Sequence, residues 1–187
     1  FNILKTVREI SPDLRINLDV NCGWKDAETA IKYIKELEIF NIEWIEQPIR
    51  ADNFFEIQKV KKNSAVRIMA DESMKTLNDC KLLLELGAVD MVNIKLAKCG
   101  GIFEGLKIAK YCEEKKVEYI LGSMIESSIG TASNLHFGAI TNCVTTNLGV
   151  LSYLKSDLAS GLKIHKHKIS VPQKSGLGIV MVDSNEY

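Results

Sequence analysis

Residues 91–101 read Met91-Val92-Asn93-Ile94-Lys95-Leu96-Ala97-Lys98-Cys99-Gly100-Gly101, and the fold turns on how that stretch is read. Its first half is β-rich, and side chains alternate across a strand. Val92, Ile94 and Leu96 therefore share one face, suited to packing against helices, while Asn93 and Lys95 share the other. A lysine on an inner face is costly unless an anion meets it. The chain supplies anions at a regular interval: Asp71, Glu46 and Asp19 precede Lys95 in steps of 24, 25 and 27 residues (95−71, 71−46, 46−19). Each closes a β-rich run: Ile16 to Asp19, Ile42 to Glu46, and Val66 to Asp71. That interval fits one strand, one helix and two loops, and such βα units build a parallel sheet. In a barrel the C-terminal strand ends face a common mouth, where three carboxylates and an ammonium suit a divalent cation with a lysine base beside it.

Parity supports the convergence in three of the four strands. Ile16, Leu18 and Val20 oppose Asn17, Asp19 and Asn21, and Val66, Ile68 and Ala70 oppose Arg67, Met69 and Asp71. The second strand breaks the pattern, because Glu46 shares its parity with Ile42 and Trp44. Between strands, Asp26, Asn53 and Thr76 stand where helix caps are expected, ahead of apolar positions at helical spacing. Pro48 ends the second strand, Gly87 stops a helix, and Gly100-Gly101 lead into another. A fifth strand is expected over Val117–Leu121, a helix near Ala132–Ile140 and a short sixth strand around Thr145–Val150. From Leu162 to Ile169 the residues alternate strictly, before Pro172 and Gly176-Leu177-Gly178 turn the chain. This tail reads as antiparallel and outside the repeat. The expected organisation is a partial barrel over 1–160 and C-terminal strands over 161–187. About six βα units are too few to close eight strands, and the chain opens at Phe1 as if near the end of a helix, so a piece of a longer polypeptide is expected.

The bulk numbers are those of a globular protein, 46% hydrophobic and 26% charged. Twenty-four basic residues balance 24 acidic ones, so there is no electrostatic footprint for nucleic acid or a membrane surface. No apolar run approaches the roughly 18 residues of a membrane span. Five scattered cysteines form no C-x-x-C pair and point to a reducing, cytoplasmic setting. His165 and His167, two apart among lysines, read as a solvated surface strand rather than a metal site, and His136 as packing. Gly100-Gly101 is weak as a phosphate cradle. Lys98 and Glu126 suit either a mouth lining or plain surface.

A single strand-terminal carboxylate is most simply a solvated loop residue; four polar groups at one period and one level are not. The segments Asp19-Val20-Asn21-Cys22-Gly23-Trp24, Glu46-Gln47-Pro48, Asp71-Glu72-Ser73, Asn93 to Ile102 and Gly122-Ser123-Met124-Ile125-Glu126-Ser127 resemble the enolase superfamily. Within it the chain is similar to the muconate-lactonizing subgroup and its dipeptide epimerases. The resemblance implies a modified TIM barrel, incomplete here, whose antiparallel tail belongs to an α+β capping domain. It implies Mg²⁺ held by Asp19, Glu46 and Asp71, Lys95 as one of two general bases, and Ser123 and Met124 touching a small-molecule carboxylate substrate. It also implies a homo-oligomer of the full-length protein.

The implied activity is a Mg²⁺-dependent racemase or epimerase that removes the proton α to a carboxylate through an enediolate, on a dipeptide of the L-Ala-L-Glu type. Two departures matter. The family's second lysine, in a K-x-K segment, would precede Phe1, so this chain alone is expected to be inactive. The Asp-x-Asp that grips a dipeptide ammonium corresponds here to Asn147-Leu148-Gly149. A muconate-type cycloisomerase or an o-succinylbenzoate-synthase-like lyase remains a rival reading, as does a non-catalytic barrel fragment.

Overall fold

In the computed structural model, which describes residues 1–148, 153–166 and 168–182, strands and helices alternate as the residue spacing requires. Contacts divide the chain into two compact units, Phe1–Asn93 and Ile94–Tyr187. The first holds α1 (Asn2–Ile10), β1 (Ile16–Asp19), α2 (Ala27–Leu37), β2 (Ile42–Glu46), α3 (Phe54–Lys62), β3 (Arg67–Ala70) and α4 (Leu77–Glu85). It also holds most of β4 (Met91–Ile94). Neighbouring strands pair in parallel in chain order. This is the repeat of an incomplete (β/α) barrel.

Local chemistry fixes the helix starts. Asp26 accepts from Thr29 N at 2.8 Å and Asn53 from Glu56 N at 3.1 Å, while Thr76 and Asp79 form a reciprocal capping box. Each cap satisfies a helix-end N–H, worth about 1 kcal/mol. The helices bury Ala27, Ala30, Ile34 and Leu37, then Ile57 and Val60, then Cys80 and Leu83. At the N-terminal side of the strands, the Arg8 guanidinium donates to the carbonyls of Phe40, Pro12, Leu14 and Asn41.

Register settles part of the parity conflict in β2: it sets Ile42 apart from Glu46, while Trp44 stays on the face of Glu46. Ile16 pairs with Ile42, but Asn17 pairs with Trp44, with a slip between them. The alternation is thus interrupted at Glu43, and Glu46 lies opposite Asp19. Continuing across, Trp44 registers with Arg67, Glu46 with Met69 and Met69 with Met91. One face therefore carries Asp19, Glu46, Asp71 and Asn93, and the other carries Leu18, Ile45, Ile68 and Val92.

The second unit contains α5 (Leu96–Cys99), α6 (Ile102–Lys115), β5 (Glu118–Leu121) and α7 (Ser128–Ala139). Its short strands β6 (Ala159–Ser160) and β9 (Val180–Met181) pair antiparallel, as do β7 (Lys163–His165) and β8 (Lys168–Ser170). Several expectations change here. The one-turn helix α5 lies between Lys95 and Gly100 and takes up Leu96, which had been read on the outer face of the fourth strand. Helix α7 begins at Ser128, ahead of the expected Ala132, because a distant carboxylate caps it: Asp157 accepts from Ser128 N at 2.9 Å and Ser128 Oγ at 2.7 Å. Of the sixth strand, the described residues show one parallel bridge, Leu121 to Thr146; residues 149 and 150 lie outside the described set. The alternating run from Leu162 is a hairpin rather than one strand, turning at Lys166 with φ 53°. His167 also lies outside the described residues. No disulfide joins any of the five cysteines, and among the described residues no helix is long and apolar enough to cross a membrane.

Candidate metal centre at the strand ends

Asp19 and Glu46 are the last residues of β1 and β2, and Asp71 directly follows β3. One carboxylate oxygen from each lies within 4.8 Å of the others. Glu46 and Asp71 are buried, at 8% and 2% exposure, whereas Asp19 is exposed. Two ionised carboxylates at 4.8 Å repel by roughly 3 kcal/mol at an effective dielectric near 20. The fold tolerates that approach because the loops around it are tightly tied.

The first tie is the turn after β1. Asn21 and Cys22 both adopt left-handed backbone, with φ 46° and 60°. Asn accepts that conformation more easily than most residues, and its backbone and side-chain amides each donate to Asp19 at 2.9 Å. The turn then hydrogen-bonds to the segment after β2: Val20 N to Glu46 O, Cys22 N to Gln47 O and Trp24 N to Pro48 O.

The second tie is Gln47, which sequence reading passed over as the residue before a strand-breaking proline. It is 1% exposed and its φ is 35°. Its Oε1 accepts from Asp71 N and Ser73 N, both at 3.0 Å, and from Ser73 Oγ at 2.8 Å. Its Nε2 donates to Ile49 O at 3.0 Å. One buried amide thus fixes the backbone of Asp71 to the residue that follows Glu46. The third tie is Asn93, whose Nδ2 donates to Glu46 Oε1 at 2.7 Å.

The donor chemistry is that of a hard cation. Three carboxylate oxygens from three strands suit Mg²⁺ or a similar divalent ion better than a thiophilic one. Cys22 does not change that character. Burial, followed by the charges of Glu72, Asp71 and Asp19, pushes its thiol pKa up, and among the described residues the clustered donor atoms are those of the three carboxylates alone.

The remaining sequence-selected residues belong to the second unit. Lys95 is half-buried and stands at the N-cap of α5 with extended backbone. Ser123 is half-buried and its Oγ donates to Asn147 O at 2.7 Å. Met124 is exposed, and its N–H donates to Glu126 Oε1 at 3.1 Å. Glu126 also accepts from Asn134 Nδ2 at 2.7 Å, which makes it a brace for that loop.

Comparison with known proteins agrees with the fold. The family model described as enolase C-terminal domain-like matches residues 1–185. The N-succinyl-L-Arg/Lys racemase of Bacillus cereus is 34% identical over 94% of this chain and 48% of its own length. The o-succinylbenzoate synthase of Enterococcus faecalis is 30% identical over 96% of this chain and 49% of its own. Among solved structures, a dipeptide epimerase from Enterococcus faecalis complexed with Mg and the dipeptide L-Leu-L-Tyr superimposes with a TM-score of 0.88. It is 34% identical and covers 95% of this chain and 51% of its own. The chain therefore spans about half the length of the curated relatives it matches.

Proposed function

Since this chain belongs to the enolase C-terminal domain-like family, we propose that it forms the barrel part of a Mg²⁺-dependent racemase or epimerase that removes the proton α to a carboxylate. The single observation that carries this reading is the approach of the Asp19, Glu46 and Asp71 oxygens to within 4.8 Å. Magnesium, when bound there, supplies positive charge to the oxygens of a substrate carboxylate, where negative charge grows as the α-proton leaves. Asp19, Glu46 and Asp71 hold the ion, and the amides of Asn21, Gln47 and Asn93 hold the carboxylates. Lys95, the lysine of the matching Asn-Ile-Lys segment, is the base that takes the proton. Ser123 and Met124 contact the substrate. The full-length protein is a cytoplasmic homo-oligomer whose C-terminal strands, residues 161–187, pack with a capping domain.

A dipeptide is the first substrate class, supported by the Mg-and-dipeptide complex among the structural neighbours. A cycloisomerase or o-succinylbenzoate-synthase-like substrate is the second, favoured by Asn147 standing where a dipeptide-gripping carboxylate is expected. The test is α-deuterium exchange in D₂O by the full-length protein with Mg²⁺ and a panel of dipeptides, N-succinyl amino acids and other carboxylates. Exchange that disappears with EDTA and in Lys95→Ala is expected. No exchange with any of these compounds would leave the barrel without this chemistry.

A further inference from the structure

We propose that Asn93 holds a water molecule of the cation's hydration shell, through the side-chain oxygen that its contact with Glu46 leaves over. This rests on the metal reading above. Asn93 is 3% exposed and lies on the strand face that carries the acidic trio. Its amide orientation is dictated by Glu46, since a reversed amide would set two oxygens against each other at 2.7 Å. Nδ2 therefore belongs to Glu46, and Oδ1 is buried with no proton donor among the described residues.

A buried carbonyl oxygen without a donor costs about 1–3 kcal/mol. In the same unit, Glu72 Oε2, next along the chain from Asp71, is the other buried side-chain atom in that condition. Both atoms are acceptors, which a proton donor or direct contact with an ion would satisfy. The proton donor such a centre supplies is metal-bound water, because the ion polarises its O–H bonds and makes it a strong donor. Mg²⁺ favours an octahedral shell and retains several waters. Three carboxylate oxygens fill about half of that shell, leaving positions for water and substrate. An asparagine meets both needs at once: its nitrogen fixes an anionic ligand and its oxygen takes a proton from water, without adding charge to the trio.

The test uses the full-length protein with Mn²⁺ alone. Affinity is read from the free-ion EPR signal and water residence on the bound ion from ¹⁷O relaxation. Asn93→Leu removes donor and acceptor together; it is expected to bind Mn²⁺ about tenfold more weakly and to exchange bound water faster. Asn93→Asp loses the donor to Glu46 but keeps an acceptor, so its water residence should equal or exceed that of the wild type. Should the leucine variant fail to fold, Asn93→Ala carries the same comparison. Unchanged water residence in the leucine or alanine variant, or equal shortening in those and Asn93→Asp, would overturn the proposal and leave Asn93 as a clamp on Glu46 only. If the wild type binds no Mn²⁺ at millimolar concentration, the metal reading itself falls, and that is seen before any variant is made.

Discussion

Replacing Gln47 with leucine tests how the acidic trio is held. The side chains are similar in size, so the buried volume is nearly conserved. Leucine also inherits the left-handed φ of 35°, so backbone strain does not separate the two proteins. What is lost is one acceptor oxygen serving three donors, at 3.0, 3.0 and 2.8 Å, and one donor to Ile49 O at 3.0 Å. The Ser73 hydroxyl can turn elsewhere, and the Ile49 carbonyl retains a second lone pair. The amides of Asp71 and Ser73 cannot turn, and their residues are 2% and 4% exposed. Two buried N–H groups without acceptors cost about 1–3 kcal/mol each, hence about 2–6 kcal/mol in total. That is a large share of the 5–15 kcal/mol typical of a folded domain. Urea unfolding of the full-length protein should show this loss at an unchanged m-value. Mg²⁺ affinity measured by calorimetry should fall about 10-fold or more, because the backbone of Asp71 loses its anchor. Gln47→Glu keeps the acceptor but adds a negative charge beside Glu46 and Asp71, so it should regain part of the lost stability when Mg²⁺ is present. A leucine variant within about 1 kcal/mol of wild type, with Mg²⁺ binding intact, would refute the reasoning.

Two further predictions concern α7. Burial pushes the Asp157 carboxyl up, but the hydrogen bonds from Ser128, with those from Ala159 and Leu158, outweigh it and hold the pKa below the usual carboxylate value. The stabilisation is therefore fully present above about pH 4 and disappears as pH falls through the lowered folded value. Asp157→Ala should cost about 1–2 kcal/mol at neutral pH, and its deficit against wild type should shrink in acid; urea melts showing a constant deficit down to about pH 2 would contradict this. At Gly130 an added Cβ would lie 2.5 Å from Glu126 Oε2 and 2.9 Å from Glu126 Cβ. Gly130→Ala gains up to about 1 kcal/mol of helix propensity but must displace the Glu126 brace, so thermal unfolding should show a net loss of about 1–3 kcal/mol; a rise in stability would mean that the brace relaxes without cost.

How much could be read from the chain depended on whether the determining interaction was local. Asp26, Asn53 and Thr76 mark helix starts because each bonds an amide three residues ahead, within the same short window of sequence. The start of helix α7 escaped because Ser127 makes no side-chain cap and the capping carboxylate comes from 29 residues downstream. The parity of β2 misled because the slip near Glu43 is a property of strand pairing, which no single strand reveals. The hairpin of β7 and β8 was hidden for a related reason: strict alternation continues through the turn, and a lysine at φ 53° carries no mark of the left-handed region that glycine or asparagine would.

At the candidate centre the division falls between charged and neutral groups. Asp19, Glu46 and Asp71 were legible because charge at strand ends, repeated at one βα period, is improbable without a shared purpose. Gln47 gave no such signal and Asn93 gave only its inner-face parity beside Lys95, although Gln47 bonds to the Asp71 backbone and Asn93 to Glu46. Their neutrality has a physical basis. A lysine or arginine in either place would compensate the carboxylates directly and compete with a cation for them, while another carboxylate would add to the repulsion inside a buried cluster. A carboxamide offers a donor and an acceptor with no net charge, so it can orient anionic oxygens while leaving their charge available to an ion. The residues that orient such carboxylates are therefore ones that charge alone does not reveal, and they show themselves in the pairing of buried donors with acceptors.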